Sequence, residues 1–507
     1  MELHESLKKW FGYSEFRPGQ REIIESLVSG QDVLAMLPTG TGKSICYQLP
    51  ALLSDGLTIV VSPLLSLMLD QVQELKSKGM KQVAALNSMI SKEERQSVLT
   101  HLSHYRLLYV SPEMLQSDWV LSKLKQINVR YFVVDEAHCI SHWGKSFRTD
   151  YRKLAPIKRY LGHPPCLAIT ATATEEVRKD IKEQLQLQDE SSYIYSVDRK
   201  NIALHIQETD SKETKLEQLL DYVNTVKGPG IVYFQSRKWT ESAAEYLRSQ
   251  GHTNVSFYHG GMVQEDRLLI QQQFMNGQLN LICCTSAFGM GLNKSDIRYV
   301  IHFHLPLDLE SYLQEIGRAG RDGNQSLAIL LYNKDDLGLA TSMIQRDVMR
   351  SDQLVHILTA LSEGGAFSPE KEVSIYTSIG VSESAFSILR YQLEQQQFVH
   401  RGNWKSFDVE TVYSQMDHML VEYRKVVERR LSNVYQWVET SQCKRERILH
   451  YFGEPAVEKP KLCCSSCGIS VSDFELIQQN EDRVLGSVTD WQNQLNRVFL
   501  KEVGNGN

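Results

Sequence analysis

The chain has no run of apolar residues long enough to cross a bilayer, and its first ten residues, Met1 to Trp10, lack the apolar core of a secretory leader. They read instead as an amphipathic helix. There is no excess of positive charge: Lys and Arg number 55 against 61 Asp and Glu, a net charge of −6. Any polynucleotide would have to be held by a local basic groove rather than by the overall field. Cysteine is sparse at nine in 507 residues, and five of the nine lie in or beside apolar segments, where a free thiol behaves as a small hydrophobe. These absences imply a cytoplasmic chain with reduced thiols. Its length suits about three or four domains.

What is present begins with Leu37-Pro38-Thr39-Gly40-Thr41-Gly42-Lys43-Ser44. The apolar stretch up to Met36 reads as a strand and the segment from Ile45 as a helix start. A turn in that setting can wrap phosphates with its backbone N–H groups, from Thr39, Gly40, Thr41 and Gly42. Lys43 would reach the outer phosphates and Ser44 would ligate Mg²⁺. The stricter form of this loop has glycine where Leu37 stands, so alone the signal is moderate. The second half is the apolar strand Arg130–Val134, which delivers Asp135 and Glu136 at its carboxyl end, where open parallel sheets place ligands. Asp135 would hold the magnesium and Glu136 would polarise an attacking water. Together the two halves point to hydrolysis of a nucleoside triphosphate.

From about residue 30 to 190, short β-branched or aromatic runs alternate with helical segments: Leu57–Val61, Arg106–Val110, Tyr131–Val134 and Cys166–Ile169. The pattern restarts with Gly230–Phe234, Val255–Tyr258, Asn280–Cys284, Tyr299–His302 and Leu327–Leu331. The expected class is α/β, with two tandem parallel-sheet domains (1–205 and 206–350). The second has no phosphate loop, so the nucleotide is expected between the two. Four cysteines cluster at Cys443, Cys463, Cys464 and Cys467, a set that favours structural Zn²⁺ over disulfides. That module is expected over 418–475, with a tail over 476–507.

The motifs, in order and spacing, resemble a superfamily 2 helicase and more narrowly the RecQ family, in a short bacterial form lacking the usual C-terminal domains. Phe16-Arg17-Pro18-Gly19-Gln20 resembles the family's adenine-recognition motif, which implies that Arg17 and Gln20 contact the base. Asp135-Glu136-Ala137-His138 is followed by a segment similar to the aromatic-rich loop that couples single-strand binding to hydrolysis, with His138, Trp143, Phe147 and Arg148 as matching positions. Lys145 and Ser146 depart from the usual His-Asp pair there. Thr170–Thr174 matches the linkage motif between the ATP and DNA sites. Gln314-Glu315-Ile316-Gly317-Arg318-Ala319-Gly320-Arg321 matches the family's arginine motif. The resemblance implies that Gln314 lies at the nucleotide and that Arg318 and Arg321, expected on one helix face, stabilise the developing charge, with Arg321 as the finger. The cysteine set matches the family's zinc module, although Cys463 adjoins Cys464 in place of the usual spacing.

Only about forty residues follow Cys467, too few for the winged helix and further domain that usually close the family's chains. Residues 351–417 look inserted ahead of the zinc module and read as helix, short strand or turn (371–378), helix, then a hairpin with Arg401, Trp404 and Lys405 at its tip. This is expected to be a relocated winged helix that grips duplex DNA. The resemblance implies an ATP- and Mg²⁺-dependent 3′-to-5′ DNA helicase, acting on single-stranded and tailed or forked duplex DNA in recombination and repair. It also implies single-stranded-DNA-binding and recombination proteins as partners and a nucleoid-associated place in the cytoplasm. An RNA helicase or a double-stranded DNA translocase remains as an alternative.

Overall fold

The computed structural model of the chain describes residues 3–141, 148–289, 292, 294–400, 403–456 and 458–471. Seven strands form a first sheet: β1 (Val33–Met36), β2 (Leu57–Val61), β3 (Val83–Leu86), β4 (Leu107–Val110), β5 (Val129–Asp135), β6 (Cys166–Thr170) and β7 (Ser191–Ile194). All pairings are parallel, in the order β3-β4-β2-β5-β6-β1-β7. Helices cover both faces, so β1 to β4 are buried at every position, which is why the strands read as continuous apolar runs. Register places Met36 beside Thr170 and Asp135 beside Ile169. The phosphate loop, the two carboxylates and the threonine segment therefore leave the sheet together at its carboxyl edge.

The second sheet holds β8 (Ile202–Glu208), β9 (Gly230–Tyr233), β10 (Val255–Tyr258), β11 (Leu281–Cys284), β12 (Tyr299–His302) and β13 (Ser326–Tyr332), in the parallel order β10-β11-β9-β12-β13-β8. Because β8 pairs with β13 along its full length, the sheets divide between Ile194 and Ile202, slightly ahead of residue 205. Side-chain caps start many helices: Thr174, Ser211 and Asp308 accept from Val177, Thr214 and Ser311 N–H.

Residues 351–400 with 403 and 404 form a module with its own apolar core, built around Leu354, Ile357, Leu389, Leu393 and Trp404. Its order is helix Ser351–Leu361, β14 (Gly365–Ala366), helix Pro369–Ser378, helix Glu383–Gln395, β15 (Val399–His400) and β16 (Asn403–Trp404), with the antiparallel sheet order β14-β16-β15. The expectation of a strand or turn over 371–378 is corrected to a helix. Ser368 caps it by accepting from Lys371 N–H at 3.3 Å, and Pro369 occupies its first turn.

A 31-residue helix, Val409–Glu439, spans about 46 Å and ties the parts together. Val412, Met416 and Leu420 pack into the module. Leu431, Val434 and Trp437 pack toward the second sheet, where Trp437 meets Tyr312 with ring centroids 4.9 Å apart. No helix among the described residues is long and apolar enough to cross a membrane.

Candidate nucleotide and zinc sites

The carboxyl edge of the first sheet faces the second across a cleft of about 690 Å³. Gly40 and Gly42 both have positive φ, 84° and 76°, which lets the loop curl without side-chain strain. Gln20 Nε2 donates to the carbonyls of Thr41 (2.8 Å) and Gly42 (3.0 Å), and Arg17 donates to the carbonyl of Gly40. Both residues predicted to read the base thus also brace the loop. Lys43 and Ser44 line the same cleft.

Asp135 ends β5 and Glu136 follows it. Glu136 sits in the left-handed region (φ 48°) and aims its carboxylate at Lys43 Nζ, 3.4 Å away. Burial pushes Asp135 up to about 6, helped by the charge on Glu136 and opposed by Lys43. Burial acts upward on Glu136 as well, but Lys43, His138 and Arg318 outweigh it and hold it below its ordinary value. Of the pair, Glu136 is the stable carboxylate. His138 Nδ1 lies 2.8 Å from Thr170 Oγ1 and 3.4 Å from Glu136 Oε2, and burial lowers its pKa. Gln314 Nε2 donates to Thr172 Oγ1 at 3.2 Å, so the threonine segment touches both His138 and the second lobe.

Arg318 and Arg321 enter the cleft from the second lobe, though not from a helix as expected. The helix Leu309–Ile316 stops before them, and the glycine-rich turn that follows carries both. Gly317 has to be glycine here, because a Cβ would lie 1.9 Å from Thr39 Oγ1. Arg318 is 7 % exposed, and neither arginine forms an ion pair among the described residues. Burial, then repulsion from Arg318 and Arg199, pushes Arg321 down to about 9. A guanidinium does not release its proton in a protein, so this shift reflects a cation poorly served by its surroundings and receptive to an anion. Arg199, which sequence reasoning missed, bridges the loop and this turn. It lies in a linker with no motif to mark it.

Of the residues expected at DNA, Trp143, Phe147 and Arg401 lie outside the described residues. Arg148 is half exposed and pairs with Glu113 at 3.6 Å. Lys405 is exposed. Trp404 is corrected from a tip residue to a core residue: it is 3 % exposed on β16, with Nε1 donating to Glu372 Oε1 at 3.2 Å and its ring edge-on to Phe367.

The cysteines converge. Cys443 caps the helix Lys444–Tyr451, and its Sγ lies 3.6 Å from that of Cys463 and 3.8 Å from that of Cys464. All four Sγ atoms, Cys467 included, fall within 4.8 Å of one another. A tetrahedron with Zn–S bonds of about 2.3 Å has edges of about 3.8 Å, so the set fits zinc. Lys444 N–H donates to Cys464 Sγ at 3.3 Å, an orienting contact of the kind metal sites use. The cluster docks on the second sheet, where Leu204 N–H donates to Cys463 O at 3.1 Å.

Two parallel-sheet lobes with a phosphate loop and acidic pair on one, and arginines on the other, define a nucleotide-driven helicase. Family sequence models agree: DEAD/DEAH box helicase over 17–181, helicase conserved C-terminal domain over 211–323, and RecQ zinc-binding over 407–469. The chain is 42 % identical over 506 residues to a probable ATP-dependent DNA helicase RecS of Bacillus subtilis, covering 99 % of both chains. It is 34 % identical to the ATP-dependent DNA helicase RecQ of Synechocystis, covering 92 % of this chain and 98 % of that one. RecQ of Haemophilus influenzae is 44 % identical across 65 % of this chain, which spans 53 % of that protein's length. Among solved structures, Mycobacterium smegmatis Lhr bound to single-stranded DNA and AMP-PNP has a TM-score of 0.56 at 20 % identity, over 75 % of this chain and 56 % of that one. The DUF1998 helicase MrfA bound to DNA has 0.57 at 19 %, over 82 % and 63 %. These two likenesses concern the fold alone. The chain belongs to the RecQ family of ATP-dependent DNA helicases.

Proposed function

We propose that the chain moves 3′ to 5′ along single-stranded DNA and separates the duplex ahead of it, on tailed or forked substrates, in recombination and repair. The same reading places it at the nucleoid, beside single-stranded-DNA-binding and recombination proteins. Arg17 and Gln20 contact the adenine. The backbone from Thr39 to Gly42, with Lys43, binds the triphosphate. Ser44 and Asp135 would hold Mg²⁺, which when bound neutralises phosphate charge. Glu136 orients the attacking water and takes its proton. Arg318 and Arg321 meet the charge that develops on the transferred phosphoryl group, and Gln314 completes the contact between lobes. His138 and the Thr170–Thr172 segment carry the state of the nucleotide to Trp143, Phe147 and Arg148, on which bases stack. Arg401 and Lys405 meet duplex phosphates. Cys443, Cys463, Cys464 and Cys467 would hold Zn²⁺, which supplies rigidity to the docked module.

The observation that carries this reading is the cross-lobe pairing: Glu136 beside Lys43 on one wall, and on the other the buried Arg318 with the half-buried Arg321, neither with an ion-pair partner among the described residues. Such a site is complete only when the lobes are together, which makes hydrolysis a switch for lobe motion. The test compares duplexes with 3′ DNA, 5′ DNA and RNA tails, with Glu136→Gln as the blank. The reading requires DNA-stimulated hydrolysis and strand separation from the 3′ DNA tail alone. Stimulated hydrolysis without strand separation would support a double-stranded translocase, a reading favoured by the burial of Trp404, which removes an aromatic ring from the supposed wedge.

A further inference from the structure

Arg199 belongs to no motif recognised in the sequence, yet it makes one of the densest polar contacts in the molecule. It lies in the linker between β7 and β8. Its Nη1 donates to the carbonyls of Thr39 (2.7 Å) and Gly317 (3.2 Å), and its Nη2 to those of Ala319 (3.2 Å) and Gly320 (2.7 Å). Thr39 is in the phosphate loop of the first lobe. Gly317, Ala319 and Gly320 are in the turn of the second lobe that presents Arg318 and Arg321. These last three carbonyls follow the helix Leu309–Ile316, whose carboxyl end attracts a cation.

The linker is itself held from behind. Arg445, on the helix of the cysteine module, pairs with Asp198 and donates to Arg199 O at 3.2 Å. Glu454 accepts from Val197 N–H at 2.8 Å. Asn201 adds a second grip on the turn by donating to Gly320 O at 2.8 Å. The backbone of Arg199 is thus fixed to the cysteine module while its guanidinium reaches into the seam between the lobes. There is no slack at the contact: a Cβ on Gly40 would lie 3.2 Å from Arg199 Nη1 and 3.0 Å from Arg321 Cγ.

We propose that Arg199 is a positioning residue that clasps the arginine-bearing turn of the second lobe to the phosphate loop, and so sets Arg318 and Arg321 for hydrolysis. The proposal rests on the functional reading above, because Arg199 acts through those two arginines. Its bonds to Thr39 and to the turn can exist together only while the lobes are closed. Removing it depopulates that state; on the first lobe it frees only the Thr39 carbonyl and leaves in place the loop N–H groups and Lys43 that hold nucleotide. The signature is a loss in kcat with little change in KM. Lysine should not substitute, since a single ammonium on a flexible stem cannot span four carbonyls in two lobes as a planar fork does.

The experiment measures ATP turnover of the full chain with saturating single-stranded DNA for wild type, Arg199→Ala, Arg199→Lys and Arg321→Ala, with a melting curve for each. Loss of charge-assisted bonds across the seam predicts a fall in kcat of about 10- to 100-fold for Arg199→Ala, with KM for ATP within about threefold of wild type. Arg199→Lys should melt as wild type does and recover little of the loss, and it decides the matter should the alanine variant fail to fold. Turnover within about twofold of wild type in a folded Arg199 variant, while Arg321→Ala is crippled, overturns the clasp alone. Full turnover in Arg321→Ala would instead overturn the functional reading on which the clasp depends.

Discussion

Trp404→Ala should unfold the inserted module rather than blunt a DNA contact. The indole is 3 % exposed, stands edge-on to Phe367 at 6.0 Å, and donates through Nε1 to Glu372. A buried tryptophan removes about 200 Å² from water, worth about 5 kcal/mol at 25 cal/mol per Å², and large-to-small changes of this kind cost about 3–5 kcal/mol. Glu372, 5 % exposed, would keep Arg390 at 3.0 Å but lose its other donor, adding about 1–3 kcal/mol. The sum, about 4–8 kcal/mol, rivals the whole stability of a small domain. Trp404→Phe keeps most of the apolar area and should cost about 1–3 kcal/mol. Hydrogen exchange of the full chain, read over 351–400 and 403–420, gives the answer by region. Lost protection there with the two sheets unchanged is the expected result. Unaltered protection combined with weakened duplex binding would refute the reasoning and return the ring to the surface.

Metal analysis should find one zinc per chain. Chelation should expose the thiols and release the edge of β8, where Leu204 bonds to Cys463 O; a metal-free chain with that edge still protected would contradict the tetrahedral reading. Burial pushes His304 down to about 3, with Lys215 and Lys212 adding to the shift. The unfolded chain takes up a proton near pH 6.5 that the folded chain refuses, so stability is unaffected by this group above pH 6.5 and falls as the pH drops toward 3. His304→Gln should flatten the decline in melting temperature between pH 6.5 and 4, and an unchanged slope would show that another group carries it.

Much of the fold was legible because parallel strands buried on both faces read as unbroken apolar runs. Leu57–Val61 and Tyr131–Val134 are such cases. Ser191–Ile194 was missed because it is a polar edge strand with alternate residues exposed. The segment 371–378 was misread because Val373, Ile375 and Thr377 alternate as a strand would; its helical state depends on Ser368, Pro369 and packing against neighbouring helices. At the site, motif spacing singled out Lys43, Asp135, Glu136, Arg318 and Arg321, and the fold brings all five to one cleft. It could not supply Arg199, whose partners are main-chain carbonyls and leave no trace in residue type. Trp404 was misplaced because an aromatic between basic residues near a turn looks exposed, and only the pairing of β16 with β14 and β15 turns it inward.

The central claim is that hydrolysis needs one lobe's arginines at the other lobe's nucleotide, and Arg321→Ala tests it most directly through paired measurements of ATP affinity and single-turnover hydrolysis on saturating DNA. The account predicts affinity within about tenfold of wild type and hydrolysis slower by about 10³- to 10⁵-fold. Hydrolysis at the wild-type rate would contradict it and place the whole of catalysis on the first lobe.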